Sequence, residues 1–95
     1  MNDARLNKIL EIIIDEYHPK RIILFGSRGK HKYNPSSDYD LAIETNRKDF
    51  RQKRIVKERI ERIIGLHKID LVFLNQVESG FRKIILETGK VVYEK

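Results

Sequence analysis

The apolar residues change their spacing several times along the chain, and this change most constrains the fold. Near the N-terminus they recur every three or four residues, which is typical of one face of a helix, at Leu6, Ile9, Leu10, Ile13, Ile14 and Tyr17. Residues 21–25 follow Pro19, are apolar from 22 to 25 and stop at Gly26, as a short buried strand does. The pattern predicts a helix that leads into a strand.

The same alternation continues to the C-terminus. Residues 39–45 and 68–74 predict two more strands, and 49–64 predicts a second helix with an apolar stripe. Asn75 with Glu78 three residues later predicts a capping box that starts a last helix through residue 88, and 91–93 predicts an edge strand. Alternating helices and strands indicate an α/β or α+β fold in which helices cover a small sheet.

Length and composition limit the chain further. Ninety-five residues suffice for one hydrophobic core, so we expect a single domain over 1–95. The absence of cysteine excludes disulfides and thiolate metal sites, and no apolar segment is long enough for a membrane span or a signal peptide, which favours a cytoplasmic protein. The formal charge of +6 fits either an anionic partner or simple solubility.

Two aspartates with one residue between them precede the second apolar run. On a strand, Asp38 and Asp40 would point to the same face about 6–7 Å apart. Their repulsion is tolerable if a divalent cation binds them, and Asp70, from the third apolar run, would join them if the strands adjoin, giving a two-metal site. The alternatives are a turn or N-cap pair at 38 and 40, and a surface aspartate at 70.

A Gly-Ser pair ends the first predicted strand. Gly26 would let the backbone approach a ligand closely, and a short helix begun at 27–33 would point its N–H groups and the Ser27 hydroxyl at a triphosphate. Arg28 and Lys30 would add positive charge there. The alternative is that the glycine and the serine only form a turn at the end of the strand.

These motifs together resemble a known family. Residues 24–27 (LFGS), ten intervening residues and 38–41 (DYDL) are similar to the Gly-Ser and Asp-x-Asp elements of the DNA polymerase β-like nucleotidyltransferases. The short length and residues 85–94 most resemble the minimal nucleotidyltransferase branch, which includes antitoxins paired with HEPN-domain toxins. The resemblance implies a palm-like mixed sheet flanked by helices.

The resemblance also implies roles for individual residues. Gly26, Ser27 and Arg28 would bind a nucleoside triphosphate, Asp38 and Asp40 would hold Mg²⁺, and Asp70 would be a further metal ligand or the general base. In the antitoxin members, AMP is transferred from ATP to a toxin tyrosine, which silences the toxin's RNase. Gly29 and His31 depart from the family pattern, because many members have alanine and glycine at those two positions.

Three functions remain open from the sequence. The first is Mg²⁺-dependent transfer of AMP to a hydroxyl of a partner protein, where a HEPN-type partner or a homodimer completes the small site. The second is a non-catalytic protein that neutralises a toxin by contact, with a loop at His31 unfit for turnover. The third is nucleic-acid binding through the basic segment 47–62, which lacks interleaved aromatic residues.

Overall fold

The computed structural model describes residues 4–26, 38–46, 53–65 and 68–95. In these segments the expected helices and strands occur in the expected order: α1 (Ala4–Tyr17), β1 (Arg21–Phe25), β2 (Tyr39–Glu44), α2 (Lys53–Ile64), β3 (Ile69–Phe73), α3 (Ser79–Thr88) and β4 (Lys90–Glu94). The short helix predicted from residue 27 lies outside the described residues. None of the helices described has the length and apolar character that a membrane crossing requires.

The strands form one mixed sheet in the order β3-β2-β1-β4. β1 lies between β2 and β4 and runs antiparallel to both, whereas β3 runs parallel to β2. A parallel neighbour requires a crossover connection, and α2 is part of the connection between β2 and β3. The edge strand expected near the C-terminus is β4, so the predicted mixed sheet with covering helices is confirmed.

The helices cover the two faces of the sheet unequally. α1 and α2 pack on one face, where the alternating residues Tyr39, Leu41 and Ile43 of β2 are buried. α3 covers the other face mainly through Ile85, which packs against Ile23, Ala42 and Leu74. Fully burying an aliphatic side chain contributes roughly 1.5–3 kcal/mol, so most of the apolar stabilisation lies under α1 and α2.

The predicted start of the last helix was wrong. α3 begins at Ser79, and Glu78 makes no capping hydrogen bond through its side chain. Asn75 instead lies in the turn after β3, where its Nδ2 donates to the Thr45 carbonyl at 3.1 Å. Arg82 donates to three carbonyls of the same turn, those of Leu74 (2.8 Å), Asn75 (3.2 Å) and Val77 (3.1 Å). The guanidinium of Arg82 thus satisfies carbonyl oxygens of the turn that precedes α3, since an arginine carries five donors.

Gly80, inside α3, and Gly89, directly after α3, provide a matched test of the packing of this helix. A Cβ at Gly89 would lie 2.6 Å from the Ile85 carbonyl oxygen and would collide with the Ile23 side chain. We expect Gly89→Ala to lower the free energy of unfolding by about 1–3 kcal/mol. Gly80→Ala, whose Cβ would approach only the mobile Glu78 carboxylate at 3.3 Å, should be neutral or stabilising. Urea unfolding of both variants measures the difference, and equal effects would contradict the close α3–β1 packing.

Candidate active site

The register of β2 and β3 places two of the predicted aspartates side by side. Asp40 and Asp70 are direct partners across the parallel pair, and neighbouring strands lie about 4.8 Å apart. Along their strands, both residues alternate with residues that are buried under α1 and α2, so their side chains point to the opposite face of the sheet. α3 covers that face further along the strands. Asp38 directly precedes β2. The structure therefore brings the three predicted aspartates together, while their chemical roles stay predictions.

An open pocket of about 450 Å³ lies at the start of β2 and β3. Its lining contains the three aspartates and four further residues: Lys57, Glu61, Lys68 and Ile69. None of these four was a candidate from the sequence. Lys57 and Glu61 are one helical turn apart on α2, a spacing that the sequence shows, but only the packing of α2 near β3 directs them to this pocket.

The three carboxylates interact unfavourably in the metal-free protein. Asp40 is half-buried, whereas Asp38 and Asp70 are exposed. The pKa of Asp40 is raised, first by burial and then by the negative charges of Asp70 and Asp38. The ionised form of Asp40 is therefore less favourable in this pocket than in water, and a nearby cation would oppose that effect.

Gly26 lies against the Asp40 carboxylate from the β1 side of the sheet, opposite to Asp70 on β3. It follows β1 with a positive φ of 67°, and its neighbour Phe25 is the strand partner of Asp40. A Cβ at this position would collide with the Asp40 carboxylate. Glycine is therefore needed both for the backbone conformation and for the close approach. The other predicted nucleotide-binding residues, Ser27 and Arg28, lie outside the described residues.

The donor set can be compared with what Mg²⁺ requires. Within residues 4–26, 38–46, 53–65 and 68–95, no three or more Asp, Glu, His or Cys side chains are grouped closely enough to hold a metal ion on their own. Mg²⁺ is usually bound by one or two carboxylates, with water and substrate phosphates as the other ligands. Asp40 together with Asp38 or Asp70 fits that requirement, because a cation would also relieve the repulsion from both neighbours that raises the pKa of Asp40.

Comparison with known proteins identifies the family. Residues 7–95 match the family model of the polymerase beta nucleotidyltransferases. The chain is 32% identical over 85 residues to "Putative protein adenylyltransferase MJ1379" of Methanocaldococcus jannaschii, covering 86% of this chain and 84% of that protein. The chain therefore belongs to the polymerase beta nucleotidyltransferase family.

Solved structures show the same fold. One is a tri-AMPylated Shewanella oneidensis HEPN toxin in complex with an MNT antitoxin (TM-score 0.79, 21% identity, covering 100% of this chain and 74% of that chain). Another is a toxin-antitoxin complex with AMP-PNP (TM-score 0.83, 21% identity, covering 98% of this chain and 75% of that chain). The nucleotidyltransferase fold predicted from the motifs is confirmed, and these toxin-antitoxin complexes contain a chain of the same fold.

The raised pKa of Asp40 predicts a pH-dependent cost to stability. The Asp40 carboxyl group binds its proton more tightly in the folded state than in the unfolded state, where an aspartate has a pKa of about 3.9. The free energy of unfolding therefore falls as the pH rises from that pKa through the raised pKa of the folded state. We expect Asp40→Asn to lack this loss and to be the more stable protein at pH 7 without divalent metal. Urea unfolding from pH 4 to pH 8 in EDTA tests this, with Asp15→Asn on the exposed side of α1 as control. A variant less stable than the wild type at pH 7 would contradict the repulsion.

The contact between Gly26 and Asp40 predicts a coupling between the two positions. Gly26→Ala should destabilise the protein by about 1–3 kcal/mol, through its positive φ and the collision with the carboxylate. In an Asp40→Ala background only the backbone strain should remain. A double-mutant cycle by thermal unfolding measures the coupling, and strictly additive effects would show that the two groups do not touch.

Proposed function

We propose that the protein is a Mg²⁺-dependent nucleotidyltransferase that transfers AMP from ATP to a hydroxyl of a partner protein, and that it is the antitoxin of a HEPN-type RNase toxin. The observation that carries this proposal is the meeting of Asp38, Asp40 and Asp70 at one pocket, with Gly26 against the central carboxylate. The family, whose members transfer nucleotides, supports the reaction class.

Each residue has a distinct part in the proposed reaction. Asp38 and Asp40 would hold Mg²⁺, and Gly26, which has no side chain, leaves room for a phosphate beside the Asp40 carboxylate. Asp70 is exposed on the edge strand β3 and takes the proton from the acceptor hydroxyl. The hydroxyl oxygen bonds to the α-phosphorus of ATP, and the bond to the leaving pyrophosphate breaks. When bound, Mg²⁺ neutralises the negative charge that develops on the phosphate oxygens.

The relatives support the choice of nucleotide and acceptor. The relative that is 32% identical carries the name of a protein adenylyltransferase, and one structural neighbour contains an AMPylated HEPN toxin. Another neighbour contains AMP-PNP, an analogue of ATP. We extend these properties to this chain as a proposal and place the reaction in the cytoplasm, where ATP is the available donor.

Labelled ATP tests the proposal. With α-labelled ATP, Mg²⁺ and the product of a neighbouring HEPN-type gene, we expect label on the HEPN protein. Asp38→Asn and Asp40→Asn should abolish the transfer by removing metal ligands, and Asp70→Asn should slow it by about 10²–10⁴-fold, the usual contribution of a general base.

Controls separate catalysis from simple binding. Asp15→Asn carries the same chemical change outside the pocket and should transfer label at the wild-type rate. Cooperative thermal unfolding of the aspartate variants at or above the wild-type melting temperature would exclude misfolding as the cause of a loss. If Asp38→Asn and Asp40→Asn neutralise the toxin fully, neutralisation does not need the transfer and the protein acts as a contact inhibitor. If the wild type also transfers no label, the transferase proposal is wrong.

A further inference from the structure

The sheet face under α3 changes from apolar to acidic within one step along the strands. Direct strand partners share a face, so one row across β1, β2 and β3 consists of Ile23, Ala42 and Val72. The next row on the same face consists of Phe25, Asp40 and Asp70. Of these three, only Phe25 is apolar, and it is the direct partner of the central carboxylate.

α3 carries a second phenylalanine to the acidic row. Ile85 is fully buried over the apolar row, and one helical turn back from it to Phe81 spans about 6 Å. The step between the two rows is about 6.6 Å, so Phe81 lies over the acidic row. Its ring contacts the ring of Phe25, with the centroids 5.7 Å apart and the planes at 80°.

Phe81 is left open although it lies on the sheet-facing side of α3. Its exposed fraction is 39%, whereas Ile85, one turn along the same side, is fully buried. The cause is the row beneath it, in which Phe25 is the one apolar side chain beside two carboxylates. Phe25 is itself only half-buried. The exposure of Phe81 therefore belongs to the surroundings of Asp40 and differs from that of Ile84, which lies off the sheet-facing side.

The two rings form an aromatic corner, defined here as Phe25 and Phe81. Because their planes are nearly perpendicular, a third ring can stack on one of them while its plane stands edge-on to the other. Offset-stacked and edge-to-face contacts are the two arrangements that aromatic rings prefer. The Cβ atoms of Phe25 and Asp40 lie about 4.5–5.5 Å apart, as in any direct antiparallel pair. A ring in the corner would thus lie next to the carboxylate at which the phosphate is proposed to react.

We propose that the aromatic corner is a subsite for a planar aromatic ring carried by one of the reactants. This inference rests on the proposed function, which supplies two such rings: the adenine of ATP and the phenol of a tyrosine acceptor. Phenylalanine packs against the face of a ring and offers no hydrogen bond to its edge. The corner therefore selects flat rings over aliphatic groups, and it adds two residues that position a reactant without taking part in the chemistry.

Aromatic side-chain resonances test this assignment directly. The protein, labelled with ¹³C in its phenylalanine rings, is titrated with Mg²⁺ and α,β-methylene-ATP, whose AMP cannot be transferred, or with Mg²⁺ and inorganic triphosphate, which has no ring. A shift of the Phe25 and Phe81 ring resonances with the nucleotide alone assigns the corner to adenine. A shift that appears only when a tyrosine peptide joins the bound nucleotide, and not with the matched serine peptide, assigns it to the acceptor phenol.

Variants of Phe81 give the second measurement. Phe81→Leu keeps an apolar side chain but removes the flat ring, so it should weaken the ring-bearing ligand about two- to tenfold and leave inorganic triphosphate unchanged. Phe81→Tyr retains the ring and should bind as the wild type does. The matched control, Ile84→Ala, removes exposed apolar surface of the same helix outside the corner and should also bind normally. An equal loss of triphosphate binding in Phe81→Leu would show a purely structural role and overturn the proposal.

The same titrations separate this subsite from the function on which it depends. If Mg²⁺ and the nucleotide shift the amide resonances of Gly26 and Asp40, but neither the nucleotide nor the tyrosine peptide shifts the two rings, the subsite is wrong and the transferase proposal stands. Unchanged affinities in Phe81→Leu lead to the same conclusion. If no residue responds to Mg²⁺ and nucleotide, the transferase proposal is contradicted and the subsite with it.

Discussion

The position of β2 between an antiparallel and a parallel neighbour is the constraint on which the site depends. The antiparallel pairing with β1 sets Phe25 opposite Asp40 and so brings Gly26 against the carboxylate, while the parallel pairing with β3 sets Asp70 beside it. A shift of either register by one residue would turn every side chain of a strand to the other face. The burial of Tyr39, Leu41 and Ile43 opposes such a shift, so the hydrophobic core on one face fixes the carboxylates on the other.

Sequence patterns predicted the elements of the fold and the three aspartates because both depend on local periodicity. The alternation in 39–45 placed Asp38 and Asp40 on the face opposite Tyr39 and Leu41, and a change from helical to strand spacing marked each element. The capping box at Asn75 and Glu78 was wrong because α3 begins only at Ser79 and the Asn75 side chain donates to the Thr45 carbonyl, a contact with a distant segment that no local pattern encodes. Lys57 and Glu61 were missed because their place at the pocket depends on how α2 packs beside β3, which no local pattern encodes.

The repulsion among the aspartates of the pocket lowers the stability of the fold. Asp40 is half-buried beside two other negative charges, and burial together with these neighbours raises its pKa. An asparagine or an apolar residue there would remove the repulsion, so the fold alone does not account for an aspartate at this position. Strained or repelling groups are typical of functional sites, and the surrounding core supplies the stability that offsets them.

The pairing of β1 with β4 contains an irregularity between Ile22 and Ile23, and on β4 both Val92 and Tyr93 pack toward the larger core. Such a bulge breaks the regular ladder at an outer strand and hinders a foreign strand from adding to it. In the described sheet, β3 forms the other border, and it carries Asp70. Among the described strands, the irregular border of the sheet is thus the one remote from the carboxylates, and the regularly paired border is the one that carries Asp70.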